Sequence, residues 1–194
     1  YSPSVNTEEI NYLSEKISSF LSLHTNILKL DALFEERYQN FYKKSIGDER
    51  RQNVYGWYQS RNIKIGKFYT FDRSFIDDNK FDLLLSKIFG SECDIDRISI
   101  QALTNGNYLI PHIDLGNRNI KVKNFPIYNF ENSESIFYAL KNDTPQSSIF
   151  TFDELEEVAR FKYTPNFVHE FDASIPHSVY STHSGFRLML SCYS

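Results

Sequence analysis

The sequence predicts an α+β domain in which helices come first and about eight short strands follow, the number that builds a jelly-roll double sheet. Three observations point there. Apolar residues recur at helical spacing as far as Tyr42, short alternating runs dominate the rest, and neither an internal repeat nor a linker interrupts the chain. A chain of 194 residues suits one domain, with residues 1–92 as mainly helical support carrying the first strands and residues 93–194 as the jelly-roll core.

The elements follow in order. Asn6 and Glu9 are spaced as a capping box, and Ile10, Leu13, Ile17, Phe20 and Leu21 then make one helical stripe. A second helix is expected from Thr25, with Ile27, Leu30, Phe34, Tyr38, Phe41 and Tyr42 toward the core, and the charged run Asp48 to Arg51 reads as a solvated turn. From Val54 the pattern turns strand-like through Val-Tyr-Gly-Trp-Tyr and the alternating stretch after Asn62, with Trp57 in ordinary aromatic packing or at a substrate mouth. Phe75 to Phe89 returns to helical spacing, Gly90 stands where a C-cap belongs, and this helix would back the sheet. Ile95 to Leu103 alternates, Asn105-Gly106 marks a hairpin, and Tyr108 to His112 reads as the returning strand. Gly116-Asn117 turns the chain. In the strand from Ile120 the lysines at 121 and 123 face one way, so Val122 and Asn124 face inward. Ile136 to Leu140 and Ser147 to Phe152 read as strands, Asp153 to Arg160 as a short helical insertion, and Phe167 to Phe171, Ser178 to Ser181 and Phe186 to Cys192 as the last strands.

Composition excludes several function classes. The net charge is −4 with both signs mixed along the chain, so there is no basic stripe to neutralise phosphates and nucleic acid is not the expected partner. An aromatic content of 16% speaks for a core-rich globular protein. Cys93 and Cys192 are the two cysteines, too few for a disulfide framework or a Cys-rich zinc site, and read as free thiols of a reducing cytosol. No apolar run approaches a membrane span and the opening Tyr-Ser-Pro-Ser-Val lacks a signal-peptide layout, so no membrane contact and a cytoplasmic protein are expected.

The chemistry concentrates in Pro111-His112-Ile113-Asp114. In an extended segment side chains alternate, so His112 and Asp114 share a face and aim two metal ligands at one point, while Ile113 turns into packing. A third ligand is available in Ile175-Pro176-His177-Ser178-Val179, completing a 2-His-1-carboxylate set that leaves coordination positions open and suits non-haem Fe(II). Ten residues on comes Arg187, in a terminal strand where Phe186, Leu188 and Leu190 take one face and Arg187, Met189 and Ser191 the other. A cation in so apolar a strand calls for an anion, because an unpaired buried charge is costly. Of the remaining histidines, His24 has no partner motif, His169 would either stand behind the metal strands or be a satisfied structural residue, and His183 lies in a polar turn.

His112-x-Asp114, then His177, then Arg187, on a strand-rich C-terminal half preceded by helices, resembles the Fe(II)- and 2-oxoglutarate-dependent oxygenases of the double-stranded β-helix fold over about Ile98 to Cys192. Gly116-Asn117-Arg118 and Asn124-Phe125-Pro126-Ile127 look, over a shorter stretch, like the segment after this motif in aspartyl/asparaginyl- and prolyl-hydroxylase-like members. The resemblance implies His112, Asp114 and His177 as catalytic iron ligands and Arg187 as partner of the distal carboxylate of 2-oxoglutarate. Asn124 and Tyr138 would be further hydrogen-bond partners of that cosubstrate or parts of a structural network. Arg118 would hold a carboxylate or solvate a turn. It further implies dioxygen as co-reactant, ascorbate as an external reductant, and release of succinate and carbon dioxide as a C–H bond of an amino acid, peptide or other small polar substrate is hydroxylated. Related halogenases lack the carboxylate that Asp114 supplies, so its presence favours hydroxylation. Two alternatives stay open at this level: a cupin-like isomerase or dioxygenase that uses no oxo acid, and a non-catalytic jelly-roll binding domain.

Overall fold

The computed structural model describes residues 1–24, 49–63, 65, 67–72, 76–91, 93, 98–104, 108–114, 120–128, 130–142, 144, 147–181 and 187–194. The helix expected from Thr25, the turns at Asn105-Gly106 and Gly116-Asn117, Arg118 and His183 lie outside them. Eight strands, β1 (Lys67–Asp72), β2 (Ile98–Thr104), β3 (Lys121–Tyr128), β4 (Ser133–Leu140), β5 (Leu155–Lys162), β6 (His169–Asp172), β7 (His177–Ser181) and β8 (Arg187–Tyr193), form two antiparallel sheets ordered β1-β2-β8-β3-β6 and β5-β4-β7. The segment Leu109–His112 adds a further edge beside β7, since Leu109 N–H donates to Val179 O and His112 and His177 exchange both backbone hydrogen bonds. The two sheets make a double-stranded β-helix, or jelly roll, with helices packed on it.

Alternation along the strands decides what faces what. In β3 and β8, Phe125, Ile127, Leu190 and Cys192 turn outward and join Leu13, Ile17, Phe81, Leu85, Ile88 and Phe89 in one apolar layer. These helical residues come from α1 (Thr7–His24), whose Asn6–Glu9 capping box forms as expected, and from α3 (Asn79–Phe89), which the Asp78 side chain caps at the N–H groups of Lys80 and Phe81. Val122, Asn124, Arg187, Met189 and Ser191 have the opposite parity and face the interior of the sandwich. Because helices cover the outer face, Lys123 is buried as well, its ammonium donating to Phe89 O at 3.4 Å. β6 pairs with β3 only as far as Asn124, so Pro126, which has no N–H to give, sits past its end.

Five expectations are overturned. Glu49–Ser60 is a helix, α2, where a solvated turn and a strand are expected. Val54 and Tyr58, four residues apart, are fully buried against Ile110, and Arg50 pairs with Glu154 at 2.7 Å; this tertiary burial outweighs the weak helix propensity of Val-Tyr-Gly-Trp-Tyr. Trp57 packs edge-on to Tyr58 and donates to Asp153 at 2.7 Å. The expected helix at Asp153 to Arg160 is a single 3-10 turn, Phe152–Glu154, followed by β5; its charges belong to an exposed edge strand, not to a helix face. Tyr108 to His112 does not return against β2, whose partners are β1 and β8, and joins β7 instead. Ser147 to Phe152 contributes a single bridge, Ile149 to His112.

The fifth correction is chemical. Cys93 and Cys192 form a disulfide that ties the end of α3 to β8 inside the outer apolar layer, with Cα atoms 6.7 Å apart. Disulfides persist mainly in oxidising compartments, so the free-thiol argument for a cytosolic protein falls. No helix among the described residues is long and apolar enough to cross a membrane. The bridge spans 99 residues, and closing such a loop stabilises by at most about 4–5 kcal/mol through the unfolded chain. Cys93→Ser with Cys192→Ser is therefore expected to lower the urea midpoint clearly, and an unshifted midpoint would show that the bridge contributes nothing.

Candidate metal centre

His112 and Asp114 come from the end of the edge segment beside β7, and His177 is the first residue of β7 itself. The paired backbone hydrogen bonds between His112 and His177 hold the two imidazoles side by side, with ring centroids 4.5 Å apart. α2 braces this edge: Ile110 packs on Val54 and Tyr58, and the Tyr58 hydroxyl donates to Phe150 O at 2.8 Å.

Each imidazole is oriented from behind. His112 Nδ1–H donates to Ile110 O at 2.8 Å and His177 Nδ1–H to Ile175 O at 2.9 Å. A carbonyl only accepts, so these bonds place the proton on Nδ1, and in the neutral rings Nε2 carries a lone pair directed forward. Nε2 of His112 lies 3.1 Å from Asp114 Oδ1, and Nε2 of His177 lies 3.5 Å from Asp114 Oδ2. One ligand atom from each residue lies within 4.8 Å of the others.

Three lone-pair donors converging in this way can hold a cation between them. Around an octahedral ion with bonds of about 2.1 Å, adjacent ligand atoms sit about 3 Å apart, so the spacing fits a divalent metal. Electrostatics agree. Burial, and then the neighbouring His112, push the His177 imidazole down to about 4, which keeps it a neutral ligand. Burial opposes ionisation of Asp114, but a hydrogen bond from His112 and the charge of protonated imidazole outweigh it and hold the carboxyl below its usual range, the direction in which a bound cation would also act. Both shifts have the same sign for folding. The unfolded chain binds the proton more readily, so the His177 contribution is complete above about 6.5 and is lost as pH falls toward 4, while that of Asp114 is lost only below the ordinary carboxylate range. Metal-free protein should melt at progressively lower temperature across that window in chelator, and a flat profile would mean that the buried imidazole protonates freely.

Behind the three residues lies a cavity of about 410 Å³ between the sheets. Arg187, Asn124, Ser135, Tyr163 and Phe171 line it, as do all three ligand candidates. Arg187 is only 3% exposed, and its Nε and Nη1 have no hydrogen-bond partner among the described residues; the Tyr163 ring lies 5.2 Å from the guanidinium. Among the described lining residues it is the one cation, Asp114 is the one anion, and Arg187 forms no ion pair with any described carboxylate. The acid that the sequence calls for is therefore not supplied by the described residues.

The other sequence candidates divide. Asn124 lines the cavity, its Oδ1 accepting from the Ser191 hydroxyl at 2.5 Å, which leaves its NH₂ as the free donor end. Tyr138 does not line it. Alternation along β4 puts Tyr138 with Ile136 on the outer face, where its hydroxyl hydrogen-bonds Ser178 at 2.8 Å, while Ser135 and Phe137 face inward. Tyr163, which sequence reasoning passed over, occupies the inward place and is hydrogen-bonded to Ser135. Strand parity from Phe161 would have found it, had β5 been read as a strand. His169 lies outside this cavity and accepts from Thr164 N–H at 3.0 Å, a satisfied structural histidine.

No protein-family model matches the chain, and no curated protein matches it. Solved structures similar to parts of it include a 2OG-Fe(II) oxygenase family oxidoreductase from Burkholderia pseudomallei, at 15% identity and TM-score 0.35 over 62% of this chain and 54% of that one. A point mutant of Bacillus subtilis oxalate decarboxylase OxdC is similar at 10% identity and TM-score 0.35, over 67% of this chain and 26% of that one. The Escherichia coli ribosomal oxygenase YcfD is similar at 16% identity and TM-score 0.29, over 50% and 22%. The chain thus spans about half or less of the length of each. Likeness at these scores assigns neither family nor activity, and the chemistry of the site has to carry the functional reading.

Proposed function

We propose that this chain is an Fe(II)- and 2-oxoglutarate-dependent oxygenase that hydroxylates a C–H bond of an amino acid, peptide or similar small substrate. One observation carries the reading: a His-Asp-His set and a buried arginine, whose Nε and Nη1 have no hydrogen-bond partner among the described residues, line the same cavity. His112, Asp114 and His177 would hold the iron and leave open positions. When bound, iron in such a site supplies dioxygen activation coupled to oxidative decarboxylation of the oxo acid to succinate and carbon dioxide.

The protein's part is orientation and charge. The Nδ1–H bonds to Ile110 O and Ile175 O keep both Nε2 atoms forward. Arg187 offers a planar fork to the distal carboxylate, inside walls that exclude water and so strengthen the pairing. The Asn124 amide, and one hydroxyl of the hydrogen-bonded Ser135–Tyr163 pair, can donate to the same ligand. A jelly-roll metal enzyme needing no oxo acid would use the same three ligands, but it leaves Arg187 without an anion.

The test is an anaerobic titration of chelator-treated protein with Fe(II) and then 2-oxoglutarate. A weak visible charge-transfer band is expected only with both present, and aerobic incubation with ascorbate should then release succinate slowly even without substrate. Bound iron with neither band nor succinate would transfer the site to the oxo-acid-independent class.

A further inference from the structure

A second cavity, of about 630 Å³, opens at the flank where β5 and β6, the edge strands of the two sheets, face each other. Phe137, Phe161, Phe167, Phe171, Val158 and Ile175 make its apolar walls. Four of these side chains are open to solvent: Val158 at 60%, Phe161 at 57%, Phe167 at 41% and Ile175 at 38%. Edge strands are usually blunted with charge. β5 follows that rule at Glu156, Glu157 and Arg160, yet at Val158, the extra residue of a bulge opposite Phe137 and Tyr138, and at Phe161 it presents hydrocarbon.

This cleft adjoins the metal cavity. Ser135, Tyr163 and Phe171 line both. At its inner end the Phe171 ring lies 4.7 Å and the Phe137 ring 6.0 Å from the ring of His177. The charged or titratable side chains that line it are Lys121, His169, Glu170 and Asp172; His169 accepts from Thr164 N–H, and Asp172 is engaged by the N–H and hydroxyl of Ser174. A charged reacting group lying between the phenyl rings would lose its hydration, and the rings themselves offer it no hydrogen bond in return.

We infer that the cleft between β5 and β6 admits the reacting group of the prime substrate, and that this group is an apolar side chain, aromatic or branched aliphatic, of an amino acid or peptide. The inference rests on the oxygenase reading above and narrows it. Arg187 is then reserved for the cosubstrate, and the prime substrate is selected by hydrocarbon burial against Phe161, Phe167 and Ile175. Its C–H bond reaches the metal side of His177 past Phe137 and Phe171.

The experiment uses protein loaded with Mn(II) and 2-oxoglutarate, with metal occupancy read separately by electron paramagnetic resonance. The probe is 4-fluorotoluene, followed by the width of its fluorine NMR signal. Mn(II) should broaden that signal, diamagnetic Zn(II) should not, and the polar probe 2-fluoroacetamide should be unaffected by either. Phe161→Asp and Val158→Asp, both at exposed edge positions, should each weaken the probe's binding by about tenfold or more while leaving Mn(II) occupancy unchanged. Full occupancy with no broadening, or broadening that survives both substitutions, overturns the cleft as the route while leaving the metal reading intact. Equal broadening of 2-fluoroacetamide overturns its apolar selectivity. Failure of Mn(II) to bind would overturn the metal reading and this inference with it. A sedimenting dimer that excludes the probe and reverts to monomer in Phe161→Asp would instead assign the face to a second copy of the chain.

Discussion

Asp114→Ala is expected to abolish stoichiometric Fe(II) binding, and His112→Ala and His177→Ala are expected to do the same. Asp114 supplies the one negative charge of the set, and its two oxygens meet the two imidazole nitrogens at 3.1 and 3.5 Å. Without it, two neutral imidazoles face the cation alone. Loss of a partner that merely orients a ligand costs 10–100-fold in metal affinity, so loss of a ligand itself should exceed roughly a hundredfold. Asp114→Asn separates charge from shape, because it keeps an oxygen in place and should still lose most of the affinity. Metal content after dialysis, with circular dichroism to verify the fold, decides the matter. Undiminished iron in any one variant would remove that residue from the site.

Arg187→Met should raise the 2-oxoglutarate dissociation constant severely, by about 2–5 kcal/mol if the carboxylate is left buried and unpaired, and Arg187→Lys should raise it partially. Lysine keeps the charge but not the fork that meets a carboxylate with two parallel bonds. Iron loading should hardly move, since Arg187 is not among the converging ligand atoms. The side chain also has reason to prefer a ligand: at 3% exposure, with Nε and Nη1 unpartnered, it bears a desolvation cost that a bound carboxylate would relieve. Isothermal titration of the metal-loaded variants gives the answer. If Arg187→Met binds 2-oxoglutarate as wild type does, β8 does not anchor the cosubstrate, and Arg118 becomes the next candidate.

The sequence by itself determined whatever depends on local periodicity. A two-residue offset is enough to put His112 and Asp114 on one side of an extended segment, and alternation in the last strand is enough to separate Arg187 from Leu190. The capping box at Asn6 and the helix ending at Phe89 are equally local, because their hydrogen bonds close within one turn.

Tertiary structure decided everything that depends on a distant partner. Val-Tyr-Gly-Trp-Tyr becomes helical because Val54 and Tyr58 find Ile110, and Leu155–Lys162 becomes a strand because β4 offers it an edge. Pairing of Tyr108 to His112 with β7, not with β2, is what brings His112 to His177 across 65 residues of chain. The choice between Tyr138 and Tyr163 likewise rests on which face of each strand looks into the sandwich, and the Cys93–Cys192 bridge on two elements meeting inside the helical layer. Local spacing fixes the direction in which a side chain points along its own strand. What it points at is set by long-range pairing and burial, whose energies outweigh local propensity and leave no local trace in the sequence.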